Sequence, residues 1–94
     1  MKEPPMQIDG AKVLEWAWSG ERPFGVVCYD NGETASEIFG LAICRYGNDE
    51  KVYRFSCDAN WETEHDSDYP SVEAAKINLP LQYRDVKANW KKYE

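Results

Sequence analysis

The sequence predicts an α+β fold: a single domain, with an antiparallel sheet of about five strands and one helix packed on one face, in ββββαβ order. Three stretches carry that prediction. Asn31-Gly32 lies between β-forming residues, the signature of a two-residue hairpin turn. "VYRFSCDANWETEH", from Val52 to His65, alternates apolar and polar residues with period two. "SVEAAKINLP", from Ser71 to Pro80, has the cap, body and stop of one short helix. A length of 94 residues fits one domain, and an aromatic content of 14% argues for a packed core over a disordered chain.

Residues 1–10 are polar around Pro4-Pro5 and read as a flexible N-terminal arm, leaving 11–94 as the domain. "KVLEWAWS" reads as the first strand, with Leu14, Trp16 and Trp18 on one face and Val13, Glu15 and Ala17 on the other. "SGERP" ends it. The turn at Asn31-Gly32 sets a hairpin register in which Tyr29 faces Thr34, Cys28 faces Ala35, Gly25 faces Ile38 and Phe24 faces Phe39. Ile38 to Cys44 is apolar almost throughout, as expected of a central strand. "GNDE" supplies the next turn. On the strand that follows, Tyr53, Phe55, Cys57, Ala59 and Trp61 share one face, while Arg54, Ser56, Asp58, Asn60, Glu62 and Glu64 share the other. Ser71 is the expected N-cap, Glu73 complements the helix dipole, and Val72, Ala75, Lys76 and Leu79 form the inward stripe. "VKANWKKY" reads as the last strand.

A net charge of −6 disfavours nucleic acid and an anionic membrane as partners and favours a basic protein. No apolar run approaches a membrane span, and the opening residues lack the apolar core of a signal peptide. Cys28, Cys44 and Cys57 each sit in an apolar run. Their odd number and wide spacing point to three buried, reduced thiols and a cytoplasmic protein.

The feature with most functional content is "NWETEHDSDYPS". From Phe55 to Ala75 there are six acids and no Lys or Arg. The stretch lacks the glycine of a calcium loop, and one His with three dispersed Cys offers no zinc spacing, so no cofactor is expected. Glu62, Glu64 and His65 lack a nucleophile, an oxyanion donor or a phosphate loop beside them, so the protein reads as no enzyme. Two readings stay open. The acids form the solvated side of a sheet, balanced by Lys87, Lys91 and Lys92 on the last strand; or they form a partner surface made of Asp58, Asn60, Glu62, Glu64, Asp66 and Asp68 with Tyr29. Pairing positions that sum to 98 across the Tyr46–Val52 turn favours the second. It places Phe39, Leu41, Ile43, Tyr53, Phe55 and Trp61 under the helix. The opposite side becomes a trough of Gly25, Val27, Tyr29, Ile38, Gly40 and Ala42, with Gly40 across from Asp58.

The segments "AKVLEWAWSGERPFG", "EIFGLAICRY", "KVYRFSCDANWE" and "SVEAAKINLPLQYRDVKANWKKY", together spanning Ala11 to Tyr93, resemble small proteins encoded beside Rhs-type polymorphic toxins, which are typically immunity proteins. The resemblance carries no catalytic signature and transfers no binding residue. It implies a cytoplasmic protein that occludes a cognate toxin, many of which are basic. The alternatives are a small-ligand-binding module using the trough and Tyr29, a domain that homo-oligomerises through an edge strand, and a weakly active hydrolase using Glu62, Glu64 and His65.

Overall fold

The computed structural model describes residues 3–28, 34–84 and 86–93. It has the α+β architecture expected from the sequence. The strands are β1 (Gln7–Ile8), β2 (Ala11–Trp18), β3 (Gly25–Cys28), β4 (Thr34–Ile38), β5 (Gly40–Arg45), β6 (Val52–Cys57) and β7 (Thr63–Tyr69). Helix α1 (Val72–Ile77), a 3-10 turn at Leu81–Tyr83 and β8 (Lys91–Lys92) follow. The main sheet runs β1-β2-β5-β6-β7 with antiparallel neighbours, and β8 pairs with β2. β3 and β4 form a separate two-stranded hairpin. Residues 7–8, assigned from sequence to the N-terminal arm, pair with Ala11 and Lys12, and Ile8 enters the core.

The local signals at the turns and caps act as their chemistry dictates. Gly47 takes a positive φ of 51°, and Asp49 N–H donates to the Tyr46 carbonyl to close the turn between β5 and β6. Ser71 Oγ accepts from Ala74 N–H at 3.1 Å and starts α1. Ala75 is fully buried, with Val72 beside it and Leu79 in the neighbouring cluster, as the inward stripe requires. Lys76 reaches across to Glu15 at 2.6 Å and ties the helix to β2.

Several registers differ from the sequence expectation, each for a physical reason. Gly25 pairs with Ile38 as expected, but a bulge between Val27 and Cys28 sets Cys28 opposite Thr34 instead of Ala35. The Tyr29–Thr34 pair and the Asn31-Gly32 turn lie outside the described residues. The hairpin ends before Phe39. Phe24 N–H donates to the Ile38 carbonyl, while Phe39 N–H donates to Cys57 and its ring stacks on Trp18 at 5.9 Å. Ile38 and Leu41 therefore belong to different sheets. A second bulge, between Val13 and Glu15, turns both Leu14 and Glu15 toward the helix side. Val13, Trp16 and Trp18 then share the other side, which breaks the simple alternation expected of this strand.

The turn at 46–51 sets β5 against β6 with positions summing to 97, as in Ala42↔Phe55 and Ile43↔Arg54. The expected sum was 98, and a one-residue slip exchanges the faces of one strand relative to the other. As a result α1 covers Ile43, Val52 and Arg54, Leu41 packs on the same side of the sheet against Phe24, Ile38 and Tyr83, and Tyr53, Phe55 and Cys57 face away from the helix. Trp61 also belongs to the far side, where it joins Trp16, Ala42, Cys44, Phe55 and Cys57. The helix side has two linked cores, one around Phe24, Ile38, Leu41 and Tyr83, the other around Ile43, Val52 and Ala75. Trp90 packs against both. Val86 to Trp90 contributes this packing without forming a strand, so the last strand is shorter than expected.

Candidate functional site

The acidic stretch divides into a turn and a strand. Asp58 Oδ1 accepts from the backbone N–H groups of Asn60 at 2.8 Å and Glu62 at 3.0 Å. Asp58 N–H donates to the Glu62 carbonyl, and Trp61 N–H to the Asp58 carbonyl. This is the side-chain turn chemistry of aspartate, and it interrupts what the sequence presents as one long strand. Trp61 adopts φ 62°, a left-handed conformation rare for a bulky residue. Packing holds it there. Its ring lies edge-on to Trp16 at 6.2 Å and 5.6 Å from Trp18, and it lies over Gly40. A Cβ on Gly40 would come within 2.5 Å of the Trp61 ring, so this strand glycine serves a close internal approach. The trough expected from Gly40 and Ala42 beside Asp58 is therefore filled. Gly40 stands opposite Cys57, Ala42 is in the aromatic core, and Ile38 with Val27 packs on the helix side.

β7 then carries Glu64, Asp66 and Asp68, all exposed. Asp66 pairs with Phe55 and Asp68 with Tyr53, so these two acids project on the aromatic side of the sheet. Tyr46 packs edge-on to Tyr53 at 5.3 Å, which sets two tyrosine rings beside the acids. Lys51 reaches Asp68 at 3.5 Å and lies 5.6 Å above the Tyr53 ring. Tyr53, and after it Asp68, holds its ammonium group above the usual lysine range. Among the described residues no salt bridge joins Glu62, Glu64 or Asp66. The expected balancing lysines are elsewhere: Lys91 and Lys92 form β8 on β2, across the sheet from β7. Of the residues read as a partner surface, Glu62, Glu64, Asp66 and Asp68 are gathered on β7 and the turn before it. Asp58 is engaged in holding that turn, Asn60 is exposed on it, and Tyr29 lies outside the described residues.

The other side of β7 has a different character. His65, Ser67 and Tyr69 alternate with the acids and border a pocket of about 620 Å³. Arg54 forms part of its wall, Asn78, Pro80 and Tyr83 come from the helix side, and the hairpin closes it with Val26 and Val27. The sequence pattern assigns Arg54 to solvent, yet it is only 4% exposed. Its Nη1 donates to the carbonyls of Ala75 at 2.9 Å and Asn78 at 3.1 Å, at the C-terminal end of α1, where a cation is favoured. Tyr69 lies against the guanidinium at 4.8 Å. Nothing in the alternation of "VYRFSC" separates a snorkelling arginine from a buried one. The signal that could have found it is the uncharged, apolar run of β5 up to Cys44 beside it, which requires both faces of the sheet there to be covered.

The thiols split the same way. Cys44 and Cys57 are buried, and burial, the first of the causes, raises both from 9.0 to about 12. The stability they lend as neutral thiols is present below 9.0 and is lost as pH rises toward 12. Cys28 is exposed, against the expectation of three buried thiols, because it ends a hairpin strand of alternating burial on the solvent-open rim of the pocket. All three are free. Among the described residues no group of three His, Cys, Asp or Glu side chains is arranged to hold a metal ion. No helix in the described residues is long and apolar enough to cross a membrane. Comparison with protein families, curated proteins and solved structures finds no match for this chain.

Proposed function

We propose that the protein is a non-catalytic binding module that neutralises a basic toxin domain in the cytoplasm, using β7 and the turn before it. The reading rests on one observation. Among the described residues β7 is a seven-residue edge strand with β6 as its single sheet neighbour, and the one salt bridge of its acids is Lys51–Asp68. Two-residue strands, β1 and β8, occupy the opposite edge. An exposed edge strand offers backbone donors and acceptors to another chain, and its side chains decide which chain can approach. Pairing β7 with β7 of a second copy would set carboxylates against carboxylates, which disfavours self-association through this edge. A basic partner is attracted instead and steered to the edge at long range. Tyr46 and Tyr53, beside Asp66 and Asp68, supply the aromatic contacts that anchor such interfaces. The immunity-protein resemblance of the sequence agrees with this chemistry.

The test is co-expression with a basic toxin domain, taken from an Rhs-type gene that adjoins the gene for this chain. The wild-type chain protects the cell, and its association rate falls as added salt shortens the screening length. The Glu64→Lys, Asp66→Lys, Asp68→Lys triple variant folds but loses protection. Asp58 is left intact because its carboxylate holds the turn. Full protection by the triple variant removes β7 from the mechanism. Failure of the wild type to bind or protect overturns the reading, and dimerisation through β7 would favour a homo-oligomeric domain in its place.

A further inference from the structure

The pocket between β7, α1 and the β3–β4 hairpin reverses the charge of the rest of the molecule. The chain carries −6, yet among the described residues no Asp or Glu lines this pocket, and Arg54 and His65 do. We propose that it is a binding site for a small organic oxyanion, a carboxylate or phosphate on a compact apolar body, anchored by the guanidinium of Arg54. The inference is independent of the acidic edge and of any toxin.

Arg54 is the central observation. A buried arginine is almost always paired with an anion, because desolvating its charge is costly. Among the described residues no carboxylate lies within salt-bridge distance of it. The carbonyls of Ala75 and Asn78 satisfy Nη1, while Nε has no hydrogen-bond partner. Those two carbonyls take only two of the five N–H donors of the guanidinium, which leaves it capacity for an acceptor on the pocket side. Here the pocket is about 620 Å³, within the range of small-ligand sites, and open to solvent. Its remaining chemistry suits an anion with an apolar body. Ser67 and Tyr83 bring hydroxyl groups that can donate to an oxyanion, and Asn78 has a second amide N–H beside the one it gives to the Ala74 carbonyl, while the Tyr69 hydroxyl donates to the Asn78 carbonyl. Val26, Val27 and Pro80 supply an apolar wall. Guanidinium matches the two oxygens of a carboxylate or phosphate in a fixed fork, which a lysine in the same place would not do.

The experiment is a two-dimensional NMR titration of the full chain with benzoate in one arm and inorganic phosphate in the other, against sodium chloride at matched ionic strength. At least one probe is expected to shift the amides of Val26–Cys28, Arg54, His65–Tyr69, Asn78, Leu79 and Tyr83, saturably and in the millimolar range. The responding arm tells carboxylate from phosphate chemistry. Ser67→Glu places a carboxylate in the pocket beside Arg54 and is expected to weaken the response at least roughly tenfold, about 1.4 kcal/mol, with the rest of the spectrum unchanged. His65→Glu, at an exposed position, gives the same outcome should Ser67→Glu disturb the fold. The proposal is overturned if neither probe exceeds chloride, or if binding persists unchanged in a folded carboxylate variant.

Discussion

β6 is buried on both sides, and its two faces solve that burial differently. Tyr53, Phe55 and Cys57 look toward Trp16, Trp18 and Trp61, a side closed by aromatic rings with no helix over it. Val52, Arg54 and Ser56 look toward α1 and the pocket, and two of these three side chains are polar. The first face depends on shape: ring against ring, and a glycine where a ring must pass. The second depends on hydrogen bonds between a strand side chain and the end of a helix. A face built from shape is intolerant of altered volume, whereas a polar face with an open pocket can exchange partners. The chemistry available for binding therefore collects on the helix side and along β7, and the aromatic side supplies rigidity.

Truncation on the two faces should separate them. Phe55→Ala removes a fully buried ring that stacks on Tyr53 in the aromatic core and is expected to cost about 3–5 kcal/mol in urea unfolding. It should also open Cys57 to thiol reagents that in the wild type reach only Cys28. Arg54→Met keeps much of the side-chain volume but strands the Ala75 and Asn78 carbonyls, at about 1–3 kcal/mol. Cys44 and Cys57 should stay protected in that variant. Equal losses from both substitutions, with the same thiol exposure, would mean that the two faces do not behave as distinct units.

Gly40→Ala tests the aromatic face alone. The new methyl group meets the Trp61 ring, which Trp16 and Trp18 hold from other directions. Overpacking of this kind costs about 1–3 kcal/mol, and Trp fluorescence should shift with it. An unperturbed spectrum and unchanged stability would show that Trp61 yields freely and that its left-handed backbone is not fixed by packing.

These particulars mark where sequence reading reaches. The helix cap at Ser71 and the turn at Gly47 were legible because each depends on residues a few positions apart, and the Gly25↔Ile38 pair because one turn signal midway between two β-forming runs implies it. The face of the sheet that receives the helix was not. It hinges on a single residue of register across the turn at 46–51 and on a bulge beside Glu15, and a period-two pattern is the same before and after such a shift. For the same reason the acids of β7 were visible as a group, whereas Arg54 and the pocket on the reverse side of that strand were not. Trp61 was placed in the right company by the wrong geometry. Alternation put it with Phe55 and Cys57, but it arrives there through the turn that Asp58 organises.

The smallest effect concerns how firmly the helix side is closed. α1 is six residues long, too short to persist without tertiary contacts, and Ser71 Oγ satisfies one of its first free N–H groups. Ser71→Ala is expected to cost about 1 kcal/mol. The cost should be local, since the Glu15–Lys76 ion pair and the Arg54 contacts still hold the helix to the sheet. Amide exchange should therefore accelerate at Ala74 and Ala75, while β5 and the aromatic side of β6 keep wild-type protection. Loss of protection spreading to Cys44 and Phe55 would sink the distinction between the faces, because it would make the helix a support for the aromatic core as well. Loss confined to the first turn of α1 would place the helix at the low-stability end of the molecule, next to the pocket it borders.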